Sequence, residues 1–178
     1  MTDELIWTAM MQNIILVGFM GSGKTTIAFE LSHRLNMRYV STDDLIEKRE
    51  KCTINEIFTK KGEDYFRNVE TLAVRDACSM ENVIIDMGGG AVIRDENWES
   101  IRASGVAICL TADENTIMER TKKYKHRPLL NVEDPKQKIR NLMAKRALLY
   151  AKADHCVDTG KLTVKQVIEE IVNIVNRE

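Results

Sequence analysis

The stretch that most restricts the fold of this chain is Gly18-Phe19-Met20-Gly21-Ser22-Gly23-Lys24-Thr25, a full match to G-x-x-x-x-G-K-[ST]. It follows the apolar run Asn13-Ile14-Ile15-Leu16-Val17 and precedes a helix-like segment from Thr26 to Leu35. A strand, a loop and a helix therefore come in the order a phosphate-binding loop needs. Glycine is required where the backbone turns its N–H groups inward around phosphate oxygens, in conformations where a Cβ would clash. Lys24 is then expected to reach the β- and γ-phosphates, with the Thr25 hydroxyl on Mg²⁺. A helix opening at about Lys24 adds its positive dipole end and its unpaired N–H groups to the same anion site.

Composition narrows the partners. At 178 residues, with 44% apolar and 30% charged residues, two prolines and nine glycines, the chain 1–178 reads as one globular domain with no low-complexity tract. A net charge of -1 argues against a surface that coats nucleic acid, so small-molecule partners and a monomer are expected. Cys52, Cys78, Cys109 and Cys156 include no C-x-x-C, and His33, His126 and His155 show no ligand spacing. Reduced packing thiols are expected rather than a zinc site or a disulfide framework. No apolar run approaches the length of a membrane span, and residues 1–11 read as an extension without signal-peptide character, which predicts a cytoplasmic protein with no membrane partner.

Beyond the first helix, Met37 to Ser41 reads as a strand leading into a short helix at Thr42 to Lys48, which Thr42 or Asp43 would cap. Thr53-Ile54-Asn55-Glu56 fits a capping box, and Phe66, Val69, Leu72 and Ala73 recur at helical spacing within Glu63 to Ser79. Val83 to Met87 is a short apolar run suited to a buried parallel strand, and Gly88-Gly89-Gly90 ends it. A helix over about Glu96 to Ala103, a strand over Gly105 to Leu110, helices over Asp113 to Arg120, Asp134 to Lys152 and Thr163 to Val175, and a strand at His155 to Asp158 complete the series. Strands alternating with helices imply a parallel sheet covered on both faces. The polar, basic segment from Thr121 to Asp134 breaks that pattern. Beside a phosphate-binding loop it reads as a cationic lid over ATP, with a solvated basic face as the plainer alternative.

Taken in order, GFMGSGKTT at 18–26, STDDLIE at 41–47, INEIF at 54–58, Gly62-Glu63 with Phe66-Arg67 and Glu70, GGGAV at 88–92, RPLL at 127–130 and Arg146-Ala147-Leu148-Leu149-Tyr150 resemble the shikimate kinase family, from about Gln12 to Val175. The resemblance implies a P-loop NTPase-like, three-layer α/β/α fold with a five-stranded parallel sheet, a substrate-binding section at about 42–72 and a lid at about 121–135. It implies transfer of the γ-phosphate of MgATP to the 3-hydroxyl of shikimate, a step toward chorismate and the aromatic amino acids. Carried onto this chain, Arg67 and Arg146 would offer planar forks to the shikimate carboxylate, and Asp43 would accept from ring hydroxyls and orient or deprotonate the attacking one. Gly88, Gly89 and Gly90 would let backbone N–H groups approach the substrate, and Glu70 would orient Arg67. Gly21, Ser22, Gly23, Lys24, Thr25 and Thr26 would lie on the phosphates, Arg127 near the transferring group and Arg120 against adenine, with Thr159 to Thr163 bordering it. Without the family, Arg67 and Glu70 could equally be a surface ion pair at i, i+3, and Arg146 a solvated helix residue.

One position departs from the family. Its usual Asp-x-Asp at the end of the second strand, whose first Asp holds a Mg²⁺-bound water, is Ser41-Thr42-Asp43 here. Val83-Ile84-Ile85-Asp86, however, ends in an acid where P-loop proteins often place the Walker B aspartate. Asp86 is therefore expected to take over the metal role, unless it only hydrogen-bonds the glycine turn or the phosphate loop. Two other readings stay open: a kinase with another small-molecule or nucleotide acceptor, and a nucleotide-binding regulatory module that has lost catalysis.

Overall fold

The computed structural model describes residues 12–122 and 134–177; the extension 1–11, most of the segment read as a lid, and Arg127 within it lie outside the described residues. Five strands form one wholly parallel sheet: β1 (Asn13–Gly18), β2 (Arg38–Ser41), β3 (Val83–Asp86), β4 (Gly105–Thr111) and β5 (His155–Asp158), in the order β2-β3-β1-β4-β5. Every residue of β1 and β3 is buried, because both faces of the sheet are covered, and so both strands read as unbroken apolar runs.

Side chains alternate between those faces. Ile14, Leu16, Ile84, Val106 and Ile108 pack with Ile27 and Leu31 of α1 (Lys24–Leu35) and with Val167 and Ile171 of α7 (Val164–Val175). Ile15, Val17, Ile85 and Ala107 pack with Val74 of α3 (Ile54–Cys78), Trp98 of α4 (Asp95–Ser104), Ile117 of α5 (Glu114–Thr121) and Ile139 of α6 (Pro135–Tyr150). Three layers, α/β/α, result. A further cluster, Ile46, Ile57, Phe66, Val69 and Ala73, is built only from α2 (Thr42–Glu50) and α3.

Several local expectations are corrected. Neither Thr42 nor Asp43 caps α2: Ser41 does, its hydroxyl accepting from the Asp44 N–H at 3.1 Å. Thr42 instead accepts from the Gly88 N–H at 2.8 Å, tying α2 to the glycine turn. The capping box at Thr53 and Glu56 is present, but the helix it starts runs on to Cys78 through Gly62, whose φ of 84° interrupts the helical geometry in the left-handed region that favours glycine. Leu72 is exposed: at 100° per residue Phe66, Val69 and Ala73 share a face that Leu72 leaves. Cys156 is likewise exposed rather than packed, while Cys109, its neighbour across β4 and β5, is buried.

The sheet order places the carboxyl ends of three strands side by side. Asp86 is in register with Leu16 of β1 and with Ser41 of β2. After β1 the chain builds β2 and β3 on one side and then β4 on the other, so the ends of β1 and its neighbours form the switch point where open α/β sheets bind ligands. The Ser41 cap anchors the first helix beyond that edge. Replacing it, Ser41→Ala, is expected to cost about 1 kcal/mol in chemical denaturation and to lower the thermal midpoint by about 2–4 °C.

Candidate active site

The phosphate loop is set by its glycines. Gly18, Gly21 and Gly23 have φ of 145°, 78° and 96°, and a Cβ at Gly18 would run into the Leu110 carbonyl. Gly23 stands at the N-cap of α1 without a side-chain cap, leaving the first N–H groups of that helix to an anion. Lys24 is buried, its ammonium donating to the Gly18 and Phe19 carbonyls at 2.8 and 3.2 Å. Thr25 and Thr26 are exposed on the opening turn. Arg120 braces the loop from α5, donating to Gly21 O at 3.4 Å, Thr159 Oγ1 at 3.0 Å and Thr159 O at 2.8 Å. Thr159 in turn donates to Ser22 O at 2.7 Å. The structure thus gathers Gly21 to Thr26, Arg120 and Thr159 around one loop.

Asp86 closes the other side. Its Oδ2 accepts from Thr25 Oγ1 at 2.7 Å and from the Tyr39 phenol at 3.3 Å. Burial pushes the Asp86 carboxyl up, against the opposing pull of the Lys24 charge and of the Thr25 and Tyr39 donors. Because the Thr25 hydroxyl gives its proton to Asp86, its lone pairs are left for a cation. Hydroxyl and carboxylate oxygens suit a hard dication such as Mg²⁺, which takes only one or two protein groups and completes its shell with water and substrate phosphates.

Beyond Asp86 opens a cavity of about 470 Å³, lined in part by Asp43, Arg67, Glu70, Gly88, Gly89, Gly90 and Arg146. Arg67 is no surface residue: it is buried, donating to Glu70 Oε2 at 2.6 Å and, through Nη2, to Glu63 Oε1 at 2.9 Å. Burial opposes its charge, but the Glu70 and Glu63 carboxylates more than offset this and hold it above its ordinary value. Burial also pushes the Glu70 carboxyl up to about 7, though Arg67 pulls the other way. Arg146 is buried too, donating to Gly89 O at 3.0 Å beside the Tyr150 phenol, which donates to the same carbonyl at 2.7 Å.

Two of the three glycines lie close against site side chains. A Cβ at Gly88 would lie 2.5 Å from Asp43 Oδ1, and one at Gly90 would run into the Arg67 guanidinium. Of the three glycines expected to let backbone N–H groups approach substrate, Gly88 donates its N–H to Thr42 Oγ1. Sequence reasoning gave no site role to Glu63, Tyr39 or Tyr150, and gave Thr42 only a candidate cap of α2. Glu63 alone carried a signal, its i, i+4 spacing to Arg67; the others act through contacts between distant segments.

Comparison with known proteins agrees with this geometry. A family model described as "Shikimate kinase" matches residues 20–176. A shikimate kinase of Thermodesulfovibrio yellowstonii is 44% identical over 91% of this chain and 94% of its own length, and one of Thermoanaerobacter pseudethanolicus is 40% identical over 91% and 95%. Among solved structures, a shikimate kinase from Acinetobacter baumannii in complex with shikimate superposes with a TM-score of 0.91 at 32% identity, covering 98% of this chain and 97% of that one. A deoxyadenosine kinase from M. mycoides, at 20% identity and a TM-score of 0.60 over 92% of this chain and 99% of its own, shares the fold alone. With buried guanidinium groups lining a cavity beside a complete phosphate loop, and relatives matched nearly end to end, the chain belongs to the shikimate kinase family.

Proposed function

We infer that the chain transfers the γ-phosphate of ATP to the 3-hydroxyl of shikimate, giving shikimate 3-phosphate and ADP on the route to chorismate and the aromatic amino acids. The observation that carries this reading is the pair of buried guanidinium groups, Arg67 and Arg146, in a cavity that also holds Asp43. A small polyhydroxy carboxylate matches that set: planar forks for the carboxylate and a carboxylate acceptor for hydroxyls.

In the reaction the 3-hydroxyl oxygen forms a bond to the γ-phosphorus while the bond to the β–γ bridging oxygen breaks, and the hydroxyl proton passes to Asp43. Positioning and charge neutralisation supply most of the rate in such transfers. Gly21 to Thr26 cradle the phosphates, and Lys24 swings its ammonium from the loop carbonyls to the β- and γ-oxygens. Arg127, outside the described residues, adds charge at the transferring group, and Arg120 with the segment from Thr159 flanks adenine. Thr25 and Asp86 would hold Mg²⁺. When bound, the ion neutralises charge on the β- and γ-phosphate oxygens. The whole chain acts as one domain, with substrate gathered by the section 42–72. We place it as a monomer in the cytoplasm, a compartment that suits its four free cysteines.

ATP consumption measured with and without shikimate tests the reading; consumption indifferent to shikimate would reject it. Arg67→Ala and Arg146→Ala are each expected to weaken shikimate binding by roughly 30- to 1000-fold, about 2–4 kcal/mol, with ATP binding nearly intact in isothermal titration. Lys24→Ala should abolish turnover without unfolding the protein.

Asp86→Asn should raise the Mg²⁺ concentration needed for half-maximal rate while shikimate affinity stays at the parent value. Ser41→Asp should partly restore that variant, since Asp caps a helix as well as Ser and returns an acid to the neighbouring strand end. Parent-like Mg²⁺ dependence in Asp86→Asn would remove the metal assignment.

A further inference from the structure

The Asp86 carboxylate has a partner that the phosphate-loop motif does not supply. Tyr39 lies on β2 two residues before Ser41, so both side chains project from the same face of the sheet, and Asp86 is the register partner of Ser41. Ile84, the register partner of Tyr39, belongs to the apolar cluster that α1 covers, and Tyr39 packs against that cluster. From there the phenol donates to Asp86 Oδ2 at 3.3 Å, the same oxygen that accepts from Thr25 Oγ1 at 2.7 Å.

The ring is held in place by α1. Phe29 meets Tyr39 edge-on, with centroids 6.3 Å apart and planes at 77°, and is itself packed edge-on against His33 at 4.6 Å. Phe29 is four residues after Thr25, hence one turn along the same face of α1. A single helix therefore presents both the hydroxyl that shares Asp86 and the ring that braces the phenol.

A carboxylate at the end of a buried strand has a rotatable χ1 and χ2. One donor fixes a point on it, and donors arriving at Oδ2 from α1 and from β2 fix its plane. We propose that Tyr39 is a positioning residue for the metal site: its hydroxyl, with the ring braced by Phe29, locks the Asp86 carboxylate in the orientation from which it serves the cation bound with nucleotide. In this chain the end of β2 thus contributes to the metal site through a phenol relay rather than through a carboxylate of its own. The inference rests on the reading of Asp86 given above.

The experiment separates the two. Mn²⁺, as a paramagnetic stand-in for Mg²⁺, is titrated into the complex of the full chain with ADP and without shikimate, and free ion is read by electron paramagnetic resonance. Tyr39→Phe deletes only the hydroxyl and keeps the ring against Phe29. It is expected to weaken Mn²⁺ binding about 3- to 10-fold, the scale of one ordinary net hydrogen bond, with ADP affinity in the absence of metal unchanged. Asp86→Asn should weaken it at least as much, and adding Tyr39→Phe to Asp86→Asn should change nothing further.

Parent-like Mn²⁺ affinity in Tyr39→Phe, with a loss in Asp86→Asn, would overturn the role of Tyr39 and leave Asp86 in place. An equal further loss when Tyr39→Phe is added to Asp86→Asn would show that the phenol does not act through the carboxylate, and would also overturn it. Parent-like affinity in Asp86→Asn would remove the assignment of Asp86 and this inference with it.

Discussion

The hydrogen bond from Thr25 Oγ1 to Asp86 Oδ2 joins the parts on which the whole site depends. One end belongs to the first turn of α1 and moves with the phosphate loop; the other ends β3, which lies between β1 and β2. Through it the N-terminus of α1 is held over the strand ends, so the N–H groups that Gly23 leaves uncapped stay aimed at the mouth of the sheet. The bond also settles a charge problem. A carboxylate this buried is costly unless paired, and here Lys24 lies near enough to oppose the rise in its pKa while two hydroxyls satisfy one of its oxygens.

The same logic, with the signs reversed, shapes the acceptor cavity. Arg67 is a buried cation whose partners differ in how firmly they are held. Glu70, 2% exposed in its side chain, sits at i+3 on α3 and cannot be replaced by water without a large penalty; Glu63, at i−4, is 57% exposed. An exposed ion pair contributes little and is cheap to give up. One edge of the guanidinium is thus anchored, and the edge toward Glu63 can exchange a protein carboxylate for a ligand carboxylate. Gly90 is part of this arrangement because any Cβ there would occupy the space the guanidinium needs.

Much of this was legible in the chain, and the pattern of what was not has a physical cause. The strand runs, the phosphate loop and the capping box at Thr53 are local, set by residues within a few positions of one another, and they appear in the structure with small shifts of boundary. The α2 cap was misread because Ser41, Thr42 and Asp43 are all competent capping residues, and the choice among them depends on the Gly88 N–H, 46 residues away, which claims the Thr42 hydroxyl. Leu72 was misread because apolar character alone does not say which face of a helix meets a neighbour. Tyr39 and Tyr150 were invisible as polar residues: an aromatic at a strand or helix position reads as packing, and only the fold reveals where its hydroxyl ends. That Arg67 and Arg146 are buried was likewise beyond periodicity, since a charged residue on an amphipathic helix is normally solvated.

Ser41 and Asp86 are best understood as two halves of one choice. They are register partners on adjacent parallel strands, and strands in a sheet lie about 4.8 Å apart. Carboxylates at both positions would face each other at roughly 5 Å among buried residues, a repulsion on the order of 3 kcal/mol at an effective dielectric of about 20. The site accommodates one acid at this pair of strand ends more readily than two. With the acid on β3, the position on β2 is free to carry a hydroxyl, and that hydroxyl caps α2. Because Ser41 supplies the cap, Thr42 can bridge to the glycine turn, and Asp43, needed for no cap, keeps its carboxylate over Gly88 in the cavity. The acid on β3 thus joins β2, β3 and the first turn of α1 through Asp86, while Asp43 faces the acceptor cavity.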